Sequence, residues 1–274
     1  MQGGKHRART LTHAHIGEHY DDFSWVYRRY WGDHIHHGLF RRRDDTSAGA
    51  QESLLRYCAE RAAIKPGMTV VDVGCGHGAT ARFLAHQYSC SVLGISISET
   101  QIQVAQKSAD LPHRNGKISF ELANAETYSF PAAHFDVVWN MESSEHFFDK
   151  GAYFKKVAAA LKPGGTLMVA AWTGSMEHGL IREIAEVFLC PELLTAEQYT
   201  GLMETAGLSV VSSEELGPQV ARTWDLCAEQ ARGAGALLSL LPKKFRRFAD
   251  SIELMRRGYA TKQLSYSVMI GRNE

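Results

Sequence analysis

The 274-residue chain carries no excess of either charge: thirty Lys plus Arg balance thirty Asp plus Glu. The broad basic surface of a general nucleic-acid binder is therefore missing, and nucleic acid is not an expected partner. Cysteine is sparse, with Cys58, Cys75, Cys90, Cys190 and Cys227 widely spaced, odd in number and without a C-x-x-C pair. That excludes a disulfide framework and a structural zinc site, and a reduced, cytoplasmic setting is expected. Long apolar runs are also missing, and residues 1–17 are polar and His-rich without the apolar core of a secretion signal. The mature chain is expected to begin near Met1 and not to be integral to a membrane. Proline is low at 7, while hydrophobic residues make up 45% and aromatics 10%, which suits one large globular α/β domain rather than a disordered or multi-domain chain.

Residues 1–15 lack periodicity and read as a mobile arm, whereas 20–40 are dense in aromatics and histidines and need an apolar partner. Leu54, Leu55, Cys58, Ala59 and Ala62 recur at helical spacing over 51–63, ended by Lys65-Pro66-Gly67. The β-branched run 69–73 then leads into the turn Gly74-Cys75-Gly76-His77-Gly78 and a helix over 79–88. Strands at 91–95, 118–122, 135–140 and 166–172 alternate with helices at 99–108 and 151–161. This rhythm predicts a doubly wound, mostly parallel sheet covered on both faces. Helices follow at 179–188 and 196–206, then strands at 208–213 and 263–270. About fifty helix-like residues separate those two strands, far more than an ordinary loop, so 217–258 is expected to be a helical lid. The organisation expected is an arm and covering segment over 1–50 and an α/β domain over 51–274.

A glycine-rich turn between a strand and a helix lets the backbone approach a ligand and aims helix N-terminal amides at it. Gly74-x-Gly76-x-x-Ala79 satisfies the dinucleotide fingerprint, which keeps an NAD-linked oxidoreductase as an alternative. Against it stand Asp72 two residues before the first glycine, a third glycine at 78 rather than 79, and the turn Lys162-Pro163-Gly164-Gly165 before the fifth strand.

With Val70-Val71-Asp72-Val73-Gly74-Cys75-Gly76-His77-Gly78 as its first motif, the chain resembles the class I S-adenosylmethionine-dependent methyltransferases. Within them it is most similar to the gamma-tocopherol methyltransferase-like group, related to the cyclopropane-synthase-like enzymes. Four further segments carry the resemblance: 30–38 (YWGDHIHHG), 94–101 (GISISETQ), 139–146 (WNMESSEH) and Pro163-Gly164-Gly165. The resemblance implies a seven-stranded sheet whose last strand is antiparallel, and S-adenosylmethionine as methyl donor. It implies that Gly74, Gly76 and Gly78 cradle the methionine portion, with Asp72 and Met141 nearby. Ser96, Ile97 and Gln101 match ribose and adenine contacts; Ser96 stands where an acidic residue is usual, which leaves Gln101 as the better hydroxyl partner. Asn124-Ala125 replaces the usual Asp-Ala beside the adenine amino group, and Tyr20 matches a tyrosine that closes over the donor.

Methyl transfer from a sulfonium asks the protein to orient the acceptor, exclude water and, for a weak nucleophile, supply a base. Glu142, Glu145 and His146 follow the fourth strand, at the sheet edge where α/β folds bind ligands. The resemblance makes Glu145 the first choice of base, then His146, with His37 as a third; capping of the next helix or pairing with Lys150 is the plainer alternative. Trp31, His36 and Glu142 are expected in the acceptor wall, with Trp224 and Phe245 nearest the acceptor from the lid. Asp33, His34, His36 and His37 are too close in sequence to converge on a metal, and none is expected. In the lid, Phe245, Phe248, Ile252, Met255 and Tyr259 form an apolar seam flanked by basic residues. Core packing is the first expectation for it and peripheral contact with anionic lipid the second. The function expected is methyl transfer to a small, largely apolar acceptor (phenolic, prenylated or alkaloid-like), with a fatty-acyl cyclopropane synthase or a non-catalytic binding module as alternatives.

Overall fold

The computed structural model describes residues 11–108, 116–233 and 243–274, and for Tyr30 and 243–249 the description stops at the backbone. Residues 1–10, and with them most of the expected arm, lie outside the described residues. The first helix starts earlier than the sequence pattern suggests, because Thr12 accepts from the backbone N–H of His15 and caps α1 (His13–Tyr30). Helix α2 (Ser47–Arg61) likewise starts before its apolar periodicity, behind Thr46, whose hydroxyl accepts from Gly49 N.

The strands are β1 (Thr69–Val73), β2 (Ser91–Ser96), β3 (Ile118–Leu122), β4 (Phe135–Met141), β5 (Leu161–Gly174), β6 (Ser209–Glu215) and β7 (Leu264–Arg272). They form one sheet in the order β3-β2-β1-β4-β5-β7-β6. β1 to β5 are parallel, and β7 runs antiparallel to both β5 and β6. The crossovers are α3 (Ala79–Tyr88), α4 (Glu99–Lys107), α5 (Lys150–Ala160), α6 (Gly179–Val187) and α7 (Ala196–Thr205). Lys162-Pro163-Gly164-Gly165, expected as a turn before the fifth strand, is instead an irregularity inside β5: Leu161 already pairs with Phe135, and the register shifts before Val137.

Both faces of the central strands β1, β4, β5 and β7 are buried, while the edge strands β3 and β6 are partly exposed. On β4 the side chains alternate: Val137, Trp139 and Met141 join the core under α2 and α3, and Val138 joins Tyr153, Phe154 and Tyr199 on the opposite face. Between β6 and β7 the insertion folds as α8 (Gly217–Val220), α9 (Arg222–Gly233) and α10 (Lys243–Ala260) among the described residues. Ile252 and Met255 of its seam are buried in the core and Tyr259 packs against it, so that stretch of the seam is interior packing. Phe245 and Phe248 lie outside the described side chains. Arg256 pairs with Asp225 and Glu253, and no described helix is long and apolar enough to cross a membrane.

Candidate active site

The glycine turn after β1 is set by left-handed backbone: Gly74, Gly76 and Gly78 have φ of +77°, +53° and +75°. Each has its own reason to lack a side chain. A Cβ on Gly74 would come within 2.3 Å of the Cβ of Ser143, and one on Gly78 within 2.4 Å of the Phe120 ring. A Cβ on Gly76 meets Ile35 at 3.3 Å and Gln101 Nε2 at 4.0 Å, and it faces the cavity at the carboxyl edge of β1, β2 and β4. Gly78 is absent from that cavity's lining, so its role here is packing of α3 on β3.

At this end the cavity is also lined by Asp72, Gly74, Ser96, Ile97, Gln101, Asn124, Ala125 and Met141. Ser96 donates to Gln101 Oε1 at 3.0 Å, and the Gln101 backbone N–H donates to the hydroxyl of Ser98. Gln101 Nε2 is left buried with no partner, as are Asp72 Oδ2 and His77 Nδ1. Buried polar atoms normally have partners, so three orphans at one cavity end fit a polar ligand that completes them. Burial alone lifts the Asp72 carboxyl to about 7, a shift that a cationic ligand group would reverse. Ser96 thus orients Gln101. Asn124 Oδ1, expected to face the adenine amino group, already accepts from Glu126 N at 2.9 Å.

Helix α1 closes this end through contacts distant in sequence. Asp21 accepts from the Ser98 hydroxyl at 2.6 Å and from Thr100 N at 3.0 Å, Ser24 bonds His77 at 2.7 Å, and His13 bonds Glu126. Tyr20 bonds His146 Nε2 at 2.7 Å. Because His146 Nδ1 is within 3.2 Å of the carbonyl of Leu189, Nδ1 carries the proton and Nε2 accepts from the tyrosine. Burial holds the His146 imidazole down at about 4.

Beyond Met141 the cavity becomes aromatic, lined by Tyr27, Trp31, Trp172, Phe188 and Trp224. Of these, Tyr27, Trp172 and Phe188 escaped the sequence reading; Trp172 at the carboxyl end of β5 was the one with a positional signal. Glu142 and His37 form the floor. Glu142 accepts from His37 N at 2.8 Å and from His37 Nδ1, Trp172 Nε1 and Tyr266 Oη, each at 3.0 Å. Burial opposes its charge, but the His37 and His36 imidazoles and the two hydrogen bonds from His37 outweigh it and hold the carboxyl below its usual value. His37 Nε2 in turn takes Trp224 Nε1–H at 2.7 Å and Tyr259 Oη at 3.0 Å, which ties α9 and α10 to the loop after α1. His36 lines the cavity with its Nε2 unpartnered. Among the described residues no group of three His, Cys, Asp or Glu is placed to hold a metal ion.

Glu145, the first choice of base on the sequence, is turned away from the cavity lining. It is 1% exposed, with Oε1 accepting from Trp172 N at 2.8 Å and Oε2 unpartnered. The one-turn 3-10 helix Ser144–His146 explains this: it sends His146 into the cavity and Glu145 beneath β5. Burial, then the nearby Glu142 charge, raise the Glu145 carboxyl to about 8. A carboxyl group raised from its usual value near 4.5 contributes stability that is full below about 4.5 and lost as pH rises through about 8. Glu145→Gln should therefore flatten the melting-temperature profile between pH 5 and 9, raising stability at the alkaline end by a few kcal/mol at most. Thermal denaturation across that range checks this, and parallel wild-type and variant profiles would place the Glu145 titration elsewhere.

The model of the mycolic acid cyclopropane synthetase family matches residues 7–239. Among curated proteins the chain is 31% identical to the 27-O-demethylrifamycin SV methyltransferase of Amycolatopsis mediterranei, over 81% of this chain and 84% of the relative. It is 27% identical to the chloroplastic tocopherol O-methyltransferase of Arabidopsis thaliana, over 93% of this chain and 80% of the relative. Among solved structures, the cyclopropane synthase MmaA2 from Mycobacterium tuberculosis superposes with a TM-score of 0.85 at 22% identity, over 96% of this chain and 99% of that one. With the glycine turn, the orphaned polar atoms and the antiparallel seventh strand in place, the chain belongs to the mycolic acid cyclopropane synthetase family and is an S-adenosylmethionine-dependent methyltransferase.

Proposed function

We propose that the chain methylates a small, largely apolar acceptor held in the aromatic end of the cavity. The observation that carries this reading is continuity: one cavity runs from the glycine turn, past Met141, to the ring-lined chamber. S-adenosylmethionine supplies a methyl group already activated on a sulfonium. The chain's residues hold, orient and keep dry. Asp72, Gly74, Gly76, Ile97, Gln101, Asn124, Ala125 and Met141 hold the donor, and Tyr20 covers it from α1. Trp31, Trp172, Phe188 and Trp224 hold the acceptor, above His36, His37 and Glu142.

With Glu145 turned away, His146 and Tyr20 are the polar pair that meets the acceptor's nucleophilic atom. Five unpaired cysteines support a cytoplasmic setting. The names of the tocopherol and rifamycin relatives support an apolar acceptor, and the family's own name keeps methylene addition to a fatty-acyl double bond as the second reading.

Incubation with methyl-labelled S-adenosylmethionine and a panel of phenols, amines, prenylated quinols and unsaturated acyl chains tests this. Label should enter one of the first three classes. His146→Gln should lower turnover roughly 10-fold or more, with little change in donor affinity. Label in the acyl chains alone would favour the second reading, and unchanged turnover would take His146 out of this role.

A further inference from the structure

The acceptor chamber contains something that methyl transfer does not by itself require, a buried carboxylate whose one ion-pair partner among the described residues is the His37 imidazole. Glu142 follows β4 at a φ of +50°, a conformation uncommon for a side chain of this size, and its side chain is 8% exposed. All four of its hydrogen bonds come from neutral donors. His37 is neutral on geometric grounds: its Nε2 receives Trp224 Nε1–H, so its proton is on Nδ1, facing Glu142. Among the described residues no Lys or Arg pairs with Glu142. A buried charge compensated by dipoles alone is costly, and a ligand can bring the missing opposite charge.

Aromatic rings line the same cavity as Glu142 and pack edge to face on one another. Trp31 and Trp224 are 5.3 Å apart between ring centroids, Phe188 is 5.7 Å from Trp224 and 5.1 Å from Trp172, and Tyr27 is 6.0 Å from Trp31. Aromatic faces attract organic cations, most strongly where water is excluded.

We infer that the chamber takes an amine as acceptor and holds the substituted ammonium that methylation yields, an assignment that rests on the methyl-transfer reading above. The amine reacts as its free base. Its lone pair forms the bond to the methyl carbon while the carbon–sulfur bond breaks with its electron pair left on sulfur. The positive charge passes from sulfur to nitrogen, and the proton an amine carries near neutral pH is left to water before the amine enters the chamber. Glu142 and the rings therefore face the same net charge before and after transfer.

Calorimetry on the full chain gives the test, with S-adenosylhomocysteine titrated first. 3-Hydroxyphenyltrimethylammonium and its uncharged isostere 3-tert-butylphenol are then titrated into the saturated protein. The cation should bind roughly tenfold or more tightly than the isostere, and Glu142→Gln should remove most of that preference. Phe188→Leu, which leaves the Glu142 hydrogen bonds in place, should also weaken the cation more than the isostere, so the proposal stays testable if Glu142→Gln does not fold. Equal or tighter binding of 3-tert-butylphenol, or no binding of either probe at millimolar concentration, overturns the amine assignment. Absence of S-adenosylhomocysteine binding in the first titration would instead count against the methyl-transfer reading.

Discussion

Gly76→Val should reduce affinity for S-adenosylhomocysteine by roughly 10²-fold or more, through the loss of space for the ligand and the strain of a β-branched residue at positive φ. The backbone at Gly76 stands at φ +53° on the cavity floor, and the nearest neighbour of a new Cβ is the end of the Ile35 side chain at 3.3 Å. A side chain there projects mainly into space the donor needs, and the fold should survive. Gly78→Ala is the matched control, because its Cβ would collide with the Phe120 ring at 2.4 Å, away from the cavity lining. It should lower the melting temperature while the folded fraction keeps its affinity. Titration calorimetry with thermal denaturation separates the two effects, and a Gly76→Val variant that binds like wild type would mean the donor does not lie on this turn.

Trp224→Ala carries the second large expectation, a fall in methyl transfer of roughly 10²-fold with donor affinity within a few-fold of wild type. Trp224 is 2% exposed, donates to His37 Nε2 at 2.7 Å and packs against Trp31, Phe188 and Trp172. Its removal leaves a void where α9 meets the acceptor chamber, destabilising by about 3–5 kcal/mol, in line with other large aromatic truncations. Trp224→Phe keeps most of the ring volume and loses the N–H, and Tyr259 remains as a partner for His37. Its turnover should lie between the two. Steady-state turnover with any accepted substrate reads the effect, and near-wild-type turnover in Trp224→Ala would exclude α9 from the chamber's working surface.

The parts of this architecture that were legible in the sequence are those whose cause is local. Thr69–Val73 is a strand because five residues of mostly β-branched character end at a glycine turn, and Ala79–Tyr88 is the helix that the turn launches; both ends agree with the pattern. The candidate cavity was legible where motif and backbone coincide, at Gly74, Gly76 and Gln101, all of which line it. What could not be read depends on partners far apart in the chain. Asp21 holds α4 from seventy-odd residues away, and Glu142 meets His37, Trp172 and Tyr266 only because three strands and a loop converge. Direction was equally hidden: Glu145 and His146 are neighbours of similar promise, and the single 3-10 turn that separates their fates carries no periodic signature.

A crystal structure of the chain with S-adenosylhomocysteine measures the central claim most directly, since the whole account depends on donor and acceptor sharing one cavity. The expected result has the methionine portion against Gly74 and Gly76, a ligand partner on Gln101 Nε2, and the sulfur directed past Met141 toward Trp31, Trp172 and Trp224. A ligand seated elsewhere, or bound on the turn with its sulfur pointing away from the aromatic chamber, would contradict it.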